Sequence, residues 1–537
     1  MVDEAYDVNE AYDVDEAYDV VVVGGGAAGL SGALALARAR RSVLVVDAGQ
    51  PRNAPAGHVH NYLGREGTPP ARLLATGREE VAQYGGRVVA GRVEAVRRHG
   101  EGACFSVRLD DGRTVSARRL LVTTGLVDEL PDLPGLSDRW GRDVLHCPYC
   151  HGWEVRDRRV GVLATGPAAV AQAQLWRQWT PHVLLFLNGV PAPEPEDAER
   201  LAARGIVVVE GPVAELEETG VRLGSGEIVA VDAVVAMPRA TARSELLESL
   251  GLTPVDVELA GTVVGAQVAA DPTGATAVPG VWVAGNVADL RATVIASAAA
   301  GLSAGAAINA DLVAEDTRVA VDDYRHRLST MFEEAAWEER YQSRPAIWSG
   351  RPNPQLVAEA AGLTPGRALD VGCGEGADAV WLAERGWRVT AVDISGTALE
   401  RAAAHAAEAG ERVAGRIEWV HADLRDSPPA EGAYDLVSSQ FMHPTTQTRE
   451  RFFAGLAAAV APGGTLLIVG HHPSDLATSA HRAHFPDLMF TGEQVAASLD
   501  PADWEVRVVE ARPRAAVDPE GHDIAIKDAV LVARRRP

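Results

Sequence analysis

The sequence predicts an α/β protein built from two unrelated modules of open, mostly parallel sheets. Three stretches carry that prediction: "YDVVVVGGGAAGL", "RRVGVLATGPAAVAQ" and "GRALDVGCGEGADAVW". Each passes from a short apolar strand through a glycine-containing turn into a helix, the opening of a strand–helix–strand unit. A chain of 537 residues exceeds a single hydrophobic core, so two to four domains are expected.

Bulk properties narrow the class. Hydrophobic residues are 47% and charged residues 23%, the balance of a folded globular chain. Apolar runs are broken by glycine short of the roughly 18 residues that a membrane span needs, so no membrane is expected. The acidic amino terminus lacks a basic stretch ahead of an apolar core, and four cysteines make no disulfide scaffold, so a cytoplasmic, reducing location is expected. A formal charge of −24 argues against a nucleic-acid partner. Part of that charge sits in "DEAYDVNEAYDVDEAYDV", a six-residue unit repeated three times, read as a solvated tail over residues 1–17. Lys527 is the one lysine, which excludes lysine chemistry from everything before it.

In the first unit, Gly24, Gly26 and Gly29 follow the apolar strand directly. Gly24 permits the tight turn, Gly26 lets a pyrophosphate approach the backbone, and Gly29 packs helix on strand. Asp47 ends the next strand, 18 residues after Gly29, where a carboxylate can accept from a ribose hydroxyl. The second unit has Ala164 in the first glycine place and keeps Gly166 and Ala169 in the other two. Its following strand, "HVLLFLNG", offers neither a carboxylate for a 2′-hydroxyl nor an arginine for a 2′-phosphate, so a nicotinamide cofactor, NAD(P)H, is doubtful. In the third unit Asp370, Gly372, Gly374 and Gly376 cluster on the turn, and Asp393 ends the next strand. That spacing suits a nucleoside with an amino-acid tail. Asp423 in "VHADLRD" ends a further strand, and "YDLVSSQFMHP" and "APGGTLLIVGHH" supply two more.

Between the first two units lies "HCPYCHGWE", residues 146–154. Its spacing alone fits a redox pair, half a zinc site, or a turn carrying two inert thiols. Zinc would need four tetrahedral ligands, and no second cysteine pair exists for it, so no metal is expected. Cys104 and Cys373 stand isolated and are read as structural or incidental.

Residues 18 to about 312 resemble the low-molecular-weight thioredoxin reductase family of FAD enzymes. Four landmarks match in order: "GGGAAG", "LLVTTG" with Gly125, "CPYC", and "VPGVWVAGNVADL". The resemblance implies FAD on Gly24, Gly26, Gly29, Asp47 and Gly285, with Asn286 where the family has aspartate. It implies a discontinuous FAD-binding Rossmann-like domain, residues 18–130 and 245–312, with an inserted NAD(P)-binding-like domain at 131–244. It also implies a homodimer through the flavin domains. Cys150 would then face the flavin and Cys147 would exchange with substrate. Where thioredoxin reductases have aspartate after the second cysteine, this chain has His151. That variant is similar to the family's dithiol oxidases, which close disulfides in sulfur-containing natural products and pass electrons to oxygen.

Residues 325–537, after a linker at 313–324, resemble class I S-adenosylmethionine (SAM)-dependent methyltransferases, particularly the small-molecule group near thiopurine and tellurite methyltransferases. "WEERYQSRPAIWSGRPNP" looks like that group's leading segment, placing Tyr341 and Trp348, with Trp337, near the methionine end. Asp370, Gly372, Gly374, Asp393 and Asp423 fall on the group's cofactor motifs.

The residues support two chemistries. Only a thiolate exchanges with a disulfide, and a free thiol with a pKa of about 8.5 is mostly protonated at neutral pH. His151 can take that proton, with Glu154 as its orienting partner. His60 and Asn61, in "RNAPAGHVHNYLGREG", are candidate flavin neighbours or ordinary loop residues. Methyl transfer to a thiol needs alignment and a base. His443 and His471 follow two carboxyl-end strands, and either could serve.

The expectation is a bifunctional enzyme acting on small-molecule thiols, in biosynthesis of or self-protection against a dithiol natural product such as a dithiolopyrrolone. One module would oxidise a dithiol with oxygen, and the other would S-methylate it. The alternative is an NADPH-dependent disulfide reductase fused to a methyltransferase that detoxifies thiols, selenium or tellurium. A third reading keeps the flavin module only as a dimerisation scaffold.

Overall fold

The computed structural model describes residues 16–100, 104–166, 168–259, 261–478, 485–518 and 520–537. The chain divides into two compact units, Met1–Val319 and Ala320–Pro537.

The first unit is organised by a sheet whose parallel part runs, in spatial order, Arg87–Ala90, Val43–Asp47, Glu16–Val23, Thr114–Val122 and Val281–Val283. Val20, Val21 and Val22 are fully buried, as an unbroken valine run must be when helices cover both faces. The first strand begins at Glu16, inside the last copy of the acidic repeat, so the tail expected over 1–17 overlaps the sheet by two residues. Arg87 supplies the reason: it pairs with Glu16 and donates to the Tyr18 hydroxyl at 2.6 Å. Residues 1–15 of the expected tail lie outside the described residues.

A second, all-parallel sheet follows the order Val207–Val209, Val183–Phe186, Val160–Leu163, Ala233–Val235, Val144–Leu145. Two crossing strands join the sheets: Leu126–Glu129 leads out, Arg239–Ala242 leads back, and they pair antiparallel. The insertion therefore closes between Val235 and Arg239, a little before the expected residue 244, because Arg239–Ala242 pairs with Thr262–Gln267 of the first body.

The stretch expected as a linker, 313–324, lies inside one helix, Val294–Thr330. Residues 306–330 contain no glycine or proline, so nothing in the chain stops that helix. It is long and apolar enough to cross a membrane by length and composition alone. Its small residues instead pack in the core: a Cβ on Gly301 would stand 2.0 Å from the Ala28 carbonyl. Arg119, itself buried, bonds Asp311 at 2.6 Å and Glu315 at 2.9 Å, tying this helix to the Thr114–Val122 strand.

The second unit is one seven-stranded sheet in the order Ile417–His421, Arg388–Asp393, Arg367–Val371, Tyr434–Gln440, Val460–His471, Asp523–Arg535, Trp504–Val517. The first five strands are parallel, and Asp523–Arg535 inserts antiparallel to both neighbours. Separate apolar cores cover its two faces. The carboxyl ends of the parallel strands lie along one edge, where open sheets of this kind take ligands.

Candidate active sites

The strand Val144–Leu145 feeds the cysteine pair. Cys147 caps a single helical turn, Pro148–His151, with proline at a first-turn position where its missing N–H is no loss. The turn sits on Trp179: a Cβ on Gly152 would lie 2.8 Å from that ring, and Tyr149 meets Trp179 edge-on at 5.4 Å. A hydrogen bond from Cys150, then the N–H groups of Cys150 and Tyr149 and the Arg52 charge, outweigh burial and bring the Cys147 thiol down to about 6. Donating that bond, together with burial, raises Cys150. The two sulfurs are thus unequal, with the negative charge on Cys147.

His151 follows directly. Burial pushes its pKa down, and its Nδ1 is buried with no hydrogen-bond partner. Glu154, expected to orient it, does not hydrogen-bond to it; its carboxylate lies 3.5 Å from His60 Nε2. The side chain is carried away because the 58–66 loop meets the cysteine turn on that side. His60 Nδ1 is 2.6 Å from Glu66, and Asn61 donates to the Tyr149 carbonyl at 2.6 Å. Sequence reasoning missed Arg52, which makes a two-pronged ion pair with Asp128 at 2.6 and 2.8 Å. Its partner is 76 residues away, and no local pattern announces it.

The residues assigned to FAD converge. Gly24 has φ +109°, and a Cβ there would strike the Thr123 carbonyl at 2.6 Å; one on Gly29 would lie 1.9 Å from the Gly24 carbonyl. In front of Gly26 a Cβ would meet nothing within 4 Å, the free approach that a pyrophosphate requires. Asp47 accepts from the Gly49 N–H at 2.9 Å and lines a cleft with Ala90, Gly91, Arg92 and Asp110, a fit for the adenosine end. Gly285 abuts Ala28 on the glycine-turn helix, while Gly125 lies at the exit of the Thr114–Val122 strand, its carbonyl accepting from Arg243. Asn286 turns its amide inward, donating to the Asp289 and Ala292 carbonyls, each at 3.0 Å. An aspartate there could not donate, so the exchange of residue stiffens the turn before the long helix.

The second glycine turn is different. Ala164 is buried, and a Cβ on Gly166 would meet only Thr262, at 3.9 Å. Asn188, after the next strand, accepts from the Val213 N–H at 2.9 Å.

In the second unit, Asp370, Gly372, Gly374 and Asp393 meet at one turn. The Gly374 N–H donates to Asp393 at 2.8 Å, and Ser395 N–H to its other oxygen at 3.0 Å. Tyr341 and Trp348 come against Gly374, where a Cβ would stand 3.1 and 3.0 Å from their polar atoms. Glu375, not singled out in the sequence, holds them: it accepts from the Ile347 and Trp348 N–H groups and pairs with Arg401 at 2.9 Å. Burial, then Asp378 and Asp393, raises the Asp370 carboxyl well above its ordinary range, and its Oδ2 is buried without a partner. A cationic amino-acid tail would supply that partner, so the residues fit SAM. Asp423 is engaged with Arg425 at 2.6 Å. His443 and His471 come together: their rings stack at 4.3 Å, beside Phe441 at 4.9 Å from His471. Phe441 has φ +58°, a left-handed conformation unusual for a bulky residue and frequent at functional sites.

Comparison with known proteins agrees with both halves. Residues 18–305 match the pyridine nucleotide-disulphide oxidoreductase family, and residues 368–464 match a methyltransferase domain. The thioredoxin reductase tcpT of Claviceps purpurea is 34% identical over 43% of this chain and 77% of its own length. The thioredoxin reductase sirT of Leptosphaeria maculans is 30% identical over 55% and 94%. Among solved structures, HlmI is 46% identical with TM-score 0.54, covering 58% of this chain and 98% of HlmI. An oxidoreductase from Agrobacterium tumefaciens is 34% identical with TM-score 0.52, covering 55% and 98%. The chain belongs to the pyridine nucleotide-disulphide oxidoreductase family, as a thioredoxin-reductase-like enzyme using FAD joined to a SAM-dependent methyltransferase domain.

Proposed function

We propose that the first module oxidises a small-molecule dithiol to its disulfide with oxygen as final acceptor, and that the second S-methylates thiols of the same substrate class. The carrying observation is the unequal cysteine pair beside a half-buried histidine whose Nδ1 is enclosed and whose pKa is lowered by burial.

His151, neutral because burial disfavours its charge, takes the proton from a substrate thiol. Cys147 and Cys150 are free thiols in this structure and would cycle through a disulfide; in that oxidised form the substrate thiolate attacks Cys147 Sγ, the Cys147–Cys150 bond breaks, a mixed disulfide forms, and Cys150 leaves as a thiolate. The second substrate thiol gives its proton to the Cys150 thiolate, whose pKa is raised, and its sulfur attacks the substrate sulfur of the mixed disulfide; the cyclic disulfide closes and Cys147 departs as a thiolate. With its pKa lowered to about 6, Cys147 favours the thiolate at neutral pH and is therefore a good leaving group. FAD, when bound, supplies an acceptor for the electron pair held by Cys150 and a route from there to oxygen. The relaxed second glycine turn favours this direction, since such an enzyme has no need of NADPH.

In the second module either His443 or His471 takes the proton of the acceptor thiol and aligns its sulfur, and SAM, when bound, would supply the methyl group in line with S-adenosylhomocysteine as the leaving group. Asp370, Gly372, Gly374, Asp393 and Asp423, with Tyr341 and Trp348, hold SAM. The natural substrate would be a dithiol secondary metabolite of the dithiolopyrrolone type, handled in the cytoplasm by a homodimer joined through the flavin modules.

A second reading keeps some support: the second sheet preserves strand, turn and helix, and the named relatives are thioredoxin reductases. Mass spectrometry of a small dithiol incubated with SAM, with and without oxygen, separates the two. Cyclic disulfide with oxygen and S-methyl product without it supports the oxidase; disulfide consumption that depends on NADPH contradicts it.

A further inference from the structure

The first unit turns its most exposed apolar side chains to solvent around the cysteine turn. Among the described residues of that unit, the three most exposed large apolar side chains are Leu63, Trp153 and Tyr149, at 93%, 66% and 61%. One exposed leucine needs no explanation. Three such side chains in two short segments that meet at one turn mark a surface that receives something apolar. Tyr149 stands between Cys147 and Cys150, and Trp153 lies three residues beyond Cys150. Leu63 is two residues beyond Asn61, whose side chain donates to the Tyr149 carbonyl at 2.6 Å.

The two rings are pinned in place. Tyr149 meets Trp179 edge-on, with 5.4 Å between ring centres. The Arg156 guanidinium lies 4.3 Å from the Trp153 ring centre and donates to the Trp153 carbonyl at 2.7 Å. That contact fixes the indole and still leaves two thirds of the residue open. Held aromatics of this kind offer a large contact area at low cost in side-chain entropy. The patch is also small. Exposed charged residues bound it along both segments, Arg65 and Glu66 after Leu63, Glu154 and Arg156 after Trp153. A stable protein partner covers roughly 20–30 residues a side, whereas three side chains inside a charged rim match a single small ring system.

Building on the dithiol reading above, we propose that Trp153 and Tyr149, with Leu63 at the edge, form an aromatic platform that positions the substrate, and that the substrate class is a dithiol borne on a flat aromatic or conjugated ring. The ring stacks on the platform, and its thiols are thereby brought to the turn that carries Cys147. An open-chain dithiol reaches the same sulfur but has no flat face to stack.

Two dithiols that both close to six-membered cyclic disulfides separate the ring from the chemistry: 1,2-bis(mercaptomethyl)benzene and dithiothreitol. Oxygen uptake by the FAD-loaded enzyme gives KM and kcat for each. The wild type should show a KM about tenfold or more lower for the benzene dithiol. Trp153→Leu and Tyr149→Leu keep an apolar side chain and remove the flat face; each should narrow that ratio about three- to tenfold, through KM rather than kcat. Trp153→Phe should restore most of it. Flavin content and the pH profile of Cys147 alkylation report whether each variant keeps the turn intact, and the wild-type ratio stands whether or not a variant folds. Equal KM values in the wild type, or a ratio that survives both leucine substitutions in folded protein, overturns the platform and leaves the dithiol reading in place. Oxidation of reduced thioredoxin in preference to both small dithiols assigns the patch to a protein and likewise overturns it. Oxygen untouched by either dithiol overturns the dithiol reading beneath, and the platform with it.

Discussion

The two glycine turns of the flavin module look alike in sequence and differ in what their surroundings demand. At the first, a methyl group on Gly29 would overlap the Gly24 carbonyl, and Gly24 itself occupies a backbone region closed to other residues. At the second, Ala164 and Ala169 already stand in those two places, and only Gly166, the counterpart of Gly26, remains, with similar open space in front of it. The first turn keeps both glycines that its close packing requires, whereas the second packs with alanine in their places. The contrast teaches that the first and third glycine places report on packing, because a side chain there would collide, and that open space at the second place favours a phosphate only where the other two glycines stand.

Substitutions can break that contrast. Gly29→Ala should have the largest effect, because overpacking against a main-chain carbonyl cannot relax cheaply: about 1–3 kcal/mol of strain and loss of the flavin spectrum on purification. A fully yellow protein would mean that the crowding is not needed for FAD. Cys150→Ser should bind FAD normally yet lose about a hundredfold or more of dithiol-driven bleaching, separating the redox pair from the turn. The third turn extends the comparison to the other unit. Asp370→Asn should weaken SAM binding about tenfold by calorimetry, since the buried carboxylate would no longer meet a cation with full charge. Undiminished affinity would remove Asp370 from the site. Cys147 should alkylate half-maximally near pH 6, with reactivity falling as acid protonates the thiolate; a midpoint near pH 9 would contradict its assignment. Gly166→Ala should do least, leaving dithiol oxidation within about twofold. A large loss there would restore the second turn to a working nucleotide site.

Much of this was legible in the sequence because strands and glycine turns are local patterns. The valine run at 20–23 and the Asp370–Gly376 turn each announce their own geometry. What was not legible depends on partners distant in the chain. Arg52 gains meaning from Asp128, and Glu375 from Arg401 and the main chain at 347–348. His60 was one loop histidine among several until Glu66 and Glu154 stood on either side of it. The inner boundary of the acidic repeat depends on distance in the same way, since like charge within a stretch says nothing of the arginine that faces Glu16 across the sheet. Glu154, adjacent to His151 on paper, points to the other histidine in space.

The central claim is that electrons leave a dithiol through Cys147 and Cys150 for oxygen without help from NADPH. An oxygen electrode, with the FAD-loaded enzyme and a small dithiol, tests it most directly. The account predicts one oxygen consumed and one hydrogen peroxide formed per disulfide closed, at a rate indifferent to added NADPH. Oxygen left untouched by the dithiol, with NADPH bleaching the flavin and opening disulfides instead, would contradict it.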